Sequence, residues 1–152
     1  MRRALLLSLL LLPLPALAID QTEPTEPGTG GSTKTTHDLL VDLHGDAGPD
    51  RLYASRALRS QLKHALRVEA HAPEASFAYD EARSLLIELE ERLPSICTEA
   101  LASPQVAAPC AEMLAMLGVK TAVPAIQAAL ATETRKGPQK RLTAALATLS
   151  AP

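Results

Sequence analysis

Hydrophobic residues along the chain fall into blocks, most of them at helical spacing and separated by polar turns. The first block, Ala4 to Leu12, is apolar throughout except for Ser8 and has no polar face. Leu39, Leu40 and Leu43 form a short apolar patch that stops at Gly45, and "GDAGPDR" reads as a turn followed by a helix start. Between Asp50 and Ala70, Leu58, Leu62, Ala65, Leu66 and Glu69 recur at helical spacing, alternating with a polar stripe of Arg56, Arg59, Lys63 and Arg67. Pro73 closes that segment. From Glu74 to Leu93 the pattern returns, with Leu85, Leu86 and Leu89 on the buried side and Asp80, Glu81, Glu88, Glu90 and Glu91 toward water.

Pro94 then punctuates, and "SICTEALA" predicts another short helix. Met113, Leu114 and Leu117 form the apolar stripe of the following helix, which Gly118 ends. If that helix starts at Pro104, Pro109 should kink it by removing one backbone hydrogen bond. Thr121 is placed to cap a partner helix, with Pro124 in its first turn and Val123, Ile126 and Leu130 facing inward. "TRKGPQK" reads as a polar connection, after which Leu142, Ala145, Leu146 and Leu149 carry a last helix. No stretch alternates with period two for long enough to predict a strand, so the expected fold class is all-α.

Helices of about a dozen residues, joined by short turns and recurring near every 30 residues, are the mark of stacked repeats. Leu86, Leu114 and Leu146 hold equivalent places in this pattern, as do Leu89, Leu117 and Leu149. The stretch "AEMLAMLGVKTAVPAIQAAL", Ala111 to Leu130, resembles a HEAT repeat, particularly the short variety of the bilin-lyase-type HEAT-like proteins. "GPDRLYASRALRSQL" is similar to a first helix of the same kind, and the likeness extends roughly from Leu39 to Leu149. It implies a short α-solenoid of about three helix pairs, an α-α superhelix over residues 37–152 whose function lies on its surfaces. The sequence departs from the family pattern at Val119 and Lys120, where small and acidic residues are usual. Glu91-Arg92-Leu93 stands where a glycine turn would fall, so Glu74 to Leu101 reads equally as one long bent helix, and the last repeat lacks a second helix.

The apolar Ala4 to Leu12 run takes its meaning from its flanks: Arg2 and Arg3 before it, Ala16-Leu17-Ala18 after it. That is the layout of a secretory signal peptide over residues 1–18, and its apolar core is shorter than the ~20 residues a membrane span needs. Residues 19–36 are rich in Thr, Pro, Gly and Glu and read as a flexible linker. The chain therefore reads as exported, to a periplasm or beyond the cell, with no membrane span in the mature form. Lys and Arg number 15 against 17 acidic residues; loss of Arg2 and Arg3 leaves 13 and a formal charge of −4. With no Trp, two Tyr and one Phe, there are few rings on which bases could stack, and no nucleic-acid partner is expected.

Chemistry is sparse. His37 with His44, and His64 with His71, sit seven apart, about 10 Å along a helix and too far for one metal to bridge unaided. Ser55, Ser60 and Ser84 lie in helices with no strained turn to present a nucleophile, and neither cysteine has a basic sequence neighbour. No catalytic residue, metal site or cofactor is expected. Cys97 and Cys110 flank Pro104; if the chain reverses there they form a candidate disulfide between antiparallel helices, worth roughly 3 kcal/mol, or else serve as two small buried hydrophobes. The basic stripe Arg56, Arg59, Lys63 and Arg67 is a candidate surface for an acidic partner protein, or a solvated face flanking the acidic helix Asp80 to Glu91. The expected function is a non-catalytic, protein-binding or scaffolding module of the cell envelope. The family likeness also admits an enzyme or enzyme subunit related to bilin lyases, and a structural stabiliser of an envelope assembly is the third alternative.

Overall fold

The computed structural model describes residues 34–151. The expected signal segment and the linker up to residue 33 lie outside the described residues. Six helices follow in order: α1 (Thr36–His44), α2 (Pro49–His71), α3 (Phe77–Ala100), α4 (Ala107–Met116), α5 (Val123–Thr132) and α6 (Lys136–Ser150), with a 3₁₀ turn at Lys120–Ala122 before α5. The all-α expectation holds: among the described residues there is no strand.

The apolar patch after the linker is a complete helix, α1. Thr35 accepts from the Asp38 backbone N–H, and the Asp38 carboxylate accepts from the Thr35 backbone N–H, a reciprocal cap that fixes the helix start. Lys34 reaches both Asp42 and Asp50, so the folded region begins before the expected linker boundary at residue 36. Leu39, Leu40 and Leu43 are buried to 2% exposure or less, the full inward stripe of this short helix.

Three expected boundaries move, each for a local reason. Of the two readings of Glu74 to Leu101, the single long helix holds: Pro94 does not end it, and α3 runs through as one 24-residue helix. Proline in a helix interior costs about 3 kcal/mol, but the buried stripe Leu86, Leu89, Leu93, Cys97, Ala100 continues across it. Ending the helix at Pro94 would forfeit the packing of everything beyond Leu93. Pro109 does not kink α4, because the helix starts at Ala107 and the proline falls in its first turn, where no intrahelical N–H bond exists to lose. Likewise α6 begins at Lys136, inside the expected polar connection, with Pro138 in its first turn.

Gly118 ends the α4 segment as expected, and the mechanism is visible. Its φ of 67° is the left-handed region, and it places the Val119 N–H on the Leu114 carbonyl (3.0 Å) and the Gly118 N–H on the Ala115 carbonyl (3.1 Å). Thr121 is not the cap of α5; it lies within the 3₁₀ turn, Ala122 occupies the cap position, and no side chain caps the helix.

Helices α2, α4 and α6 pack side by side in that order and run parallel, with α3 against α2 and α4, and α5 against α4 and α6. Helix α1 covers the free side of the α2–α3 pair. One core joins all of them, with Leu58, Leu62, Leu86, Leu89, Leu93, Met113, Leu114, Ile126 and Leu142 fully buried. Aliphatic side chains and alanine let the helices approach closely, which explains how a chain so poor in aromatics fills its interior.

Candidate functional site

The parallel arrangement of α2, α4 and α6 makes a groove whose floor is the outward face of α4. Gln105, Pro109, Glu112 and Met116 follow one another along that floor at helical spacing. The wall on one side carries Leu52, Arg56, Arg59 and Lys63 from α2; the other carries Pro138, Arg141, Ala145 and Thr148 from α6. Two clefts of about 630 and 620 Å³ succeed each other along the groove and share Arg59.

The first cleft lies at the N-terminal ends of the three helices. Gly48 and Pro49 open α2, Gln105 precedes α4, and Arg135 caps the start of α6; all line this cleft. In none of the three helices does the capping residue's own side chain bond to the first-turn N–H groups. Their backbone dipoles therefore add positive potential to Arg56, Arg59, Arg135 and Arg141, which line the same space. The second cleft is milder: Lys63 and Ser60 face Ala115, Met116, Ala144 and Ala145.

Glu112 organises the centre. Its carboxylate accepts from Arg59 Nη1 at 2.6 Å on one wall and from Arg141 Nε and Nη2 on the other, the last at 2.7 Å. Partial burial pushes the Glu112 carboxyl up, but the hydrogen bonds from Arg141 and Arg59 outweigh it and hold the group below its ordinary value of 4.5. A guanidinium has five N–H donors, so both arginines keep donors free after satisfying Glu112. Arg135 is anchored separately: its backbone and side-chain N–H groups hold Glu133, whose carboxyl falls to about 2, and it also donates to the Pro104 carbonyl.

Of the expected basic stripe, Arg56, Arg59 and Lys63 line the groove, while Arg67 lies beyond its end. Arg56, Lys63 and Arg67 make no ion pair among the described residues. The stripe does not pair with the acidic face of α3. The α2–α3 ion pair has the opposite sense, Arg83 of α3 on Glu69 of α2. Sequence reading missed Arg135, Arg141 and Glu112, because nothing local says that α6 lies parallel to α2 across α4. A signal was present in the Gly-Pro pairs at 48–49 and 137–138, which both mark helix starts and, aligned, bring the two walls into register.

The remaining candidates sort simply. Cys97 and Cys110 are both buried in the contact between α3 and α4 and are free thiols; the bridge is not formed in this structure. The neighbouring Cys110 thiol and burial together push the Cys97 thiol well up. His37 accepts a hydrogen bond from Arg92 at 2.9 Å, and His44 sits 3.6 Å from Glu99. Among the described residues no three His, Cys, Asp or Glu converge as metal ligands would. Ser55 is buried and donates to the Leu52 carbonyl at 2.8 Å, a structural bond. Among the described residues no helix is long and apolar enough to cross a membrane. Comparison with protein families, curated proteins and solved structures finds no significant match to this chain.

Proposed function

We propose that this chain is an exported, non-catalytic protein-binding module of the HEAT-like α-solenoid type, acting in the periplasm or outside the cell as an adaptor or scaffold. The observation that carries the reading is the groove over α4, where three parallel helices expose a continuous, largely cationic surface. Side-by-side parallel helices with a second helix behind each are the geometry on which repeat proteins present partners with a long concave face. Two features of the residues support the non-catalytic part. The groove's charged groups are arginines, a lysine and one carboxylate already engaged by two guanidinium groups, and its hydroxyls, Ser60 and Thr148, have no histidine beside them in the lining. Export rests on the Arg2-Arg3 start, the apolar run and the Ala16-Leu17-Ala18 site.

The test is cross-linking in cells followed by mass spectrometry, on wild type and on a variant with Arg56 and Lys63 changed to glutamate. Arg59 is left in place to keep its ion pair with Glu112. A defined partner in the exported fraction that disappears in the variant supports the binding module and its surface. If wild type cross-links to nothing above background, the adaptor reading fails.

A further inference from the structure

We infer that the groove over α4 takes an acidic segment of a partner polypeptide, with carboxylates at the arginine end and apolar side chains toward Met116; the inference rests on the binding-module reading above. The charge is complementary on a local scale. The whole chain has a formal charge of −2, yet five cations, Arg56, Arg59, Lys63, Arg135 and Arg141, border this one groove. Glu112 is the one carboxylate among the residues lining the two clefts, and Glu133 holds Arg135. Arg56 and Lys63 are exposed, have no ion pair among the described residues and stand about 10 Å apart along α2. Arg59 and Arg141 are held in place by Glu112 and so lose little freedom on accepting a second carboxylate.

The far half of the groove decides between kinds of anion. Ala115, Met116, Ala144 and Ala145 give it an apolar lining that a phosphate or a sulfated glycan would leave unused. No aromatic side chain lines either cleft, so a sugar ring or a base finds no platform for stacking. A polypeptide supplies carboxylates and aliphatic side chains together. From Pro49 to Lys63 the wall extends roughly 20 Å, enough for about six residues of extended chain.

Fluorescence anisotropy on the full-length protein tests this with a labelled octapeptide bearing three glutamates followed by two leucines. Its controls are the same peptide with glutamine for glutamate, the peptide with serine for leucine, and a short heparin fragment. The octapeptide should bind in a salt-sensitive way, and each control peptide should bind about tenfold more weakly. Arg56→Glu with Lys63→Glu should weaken binding by at least that factor, while Arg67→Glu, on the same stripe but past the groove, should change it less than twofold. Equal loss in Arg67→Glu would reduce the site to diffuse surface charge and overturn the inference. Tighter binding of heparin than of the octapeptide, or concentration-dependent self-association abolished by Arg56→Glu, would assign the groove to a glycan or to a second copy and overturn it too. If the octapeptide does not bind while a cellular partner is still cross-linked, the inference falls and the binding-module reading stands.

Discussion

Changing Glu112 to glutamine keeps the shape of the side chain and removes the charge that ties both walls of the groove to its floor. Glu112 Oε2 lies 2.6 Å from Arg59 Nη1 and 2.7 Å from Arg141 Nη2, and the carboxylate takes a further bond from Arg141 Nε. Its side chain is 25% exposed, and those of Arg59 and Arg141 are 41% and 38% exposed. Solvent therefore screens both pairs, and each belongs near the top of the range for exposed pairs, about 0.5–1 kcal/mol. The two together make the expected loss roughly 1.5 kcal/mol, or a fall in Tm of about 6 °C for a domain of this size.

The pH dependence separates charge from packing. The Glu112 carboxyl is depressed by its arginine partners, so its contribution is present above the ordinary carboxylate value of 4.5 and is lost as pH falls through the lower folded value. Thermal and urea unfolding of Glu112→Gln followed by far-UV circular dichroism should show the full deficit at pH 7 and a closing gap below pH 4.5. A variant as stable as wild type at pH 7 would mean that the bridge is idle. A deficit that persists unchanged in acid would assign the loss to packing and refute the electrostatic account. Removing this carboxylate makes the groove more cationic, so an acidic peptide should bind at least as tightly as to wild type, separating the scaffold role of Glu112 from ligand contact.

Other substitutions probe the remaining elements. Glu133 is held at about 2 by Arg135, so its contribution is present above 4.5 and lost as pH falls toward 2; acid titration of Glu133→Gln should show a flatter stability profile than wild type over that window. Gly118→Ala meets no atom within 4 Å and so reports backbone strain alone at φ 67°; a loss of about 1 kcal/mol in urea unfolding is expected, and a smaller one for Gly118→Asn. Pro94→Ala restores an N–H inside α3 and should stabilise the fold by about 1–3 kcal/mol, read from the shift in urea midpoint. Cys97 and Cys110 should resist alkylation by iodoacetamide in the folded protein and react together only on unfolding, with mass spectrometry as the readout.

How much was legible depends on the range of the interaction that decides each feature. The buried stripes of α2, α3 and α6 could be read because Leu58, Leu62, Leu86, Leu89, Leu142 and Leu149 repeat every three or four residues, a signal internal to one helix. Gly118 was legible for the same reason: a glycine after the last apolar turn meets a local backbone need. Pro124 was read correctly into a first turn, whereas Pro94 and Pro109 each left two readings open: the single long helix over Glu74 to Leu101 holds, and the kink expected for a start at Pro104 does not arise. Pro94 sits before two further buried positions, Cys97 and Ala100, whose burial favours continuing the helix; Pro109 and Pro138 fall in first turns, where a missing N–H breaks no intrahelical bond.

The candidate site was half visible for a related reason. A stripe of cations on one helix is ambiguous, since the same spacing serves a solvated face and a binding wall. The structure adds what the spacing lacks: Arg56, Arg59 and Lys63 line a groove opposite Arg141 and, at the mouth, Arg135. Like charges brought together by folding oppose it, and Glu112 relieves only part of that repulsion. Elsewhere the chain keeps its acidic residues, such as Glu81, Glu90 and Glu91, on the exposed face of α3 rather than opposite Arg56 and Lys63. A fold that leaves these cations unneutralised while carboxylates are plentiful retains a local cost that an acidic ligand would relieve on binding. The proposed binding of an acidic segment accounts for this arrangement; a purely stabilising role for the basic groove does not.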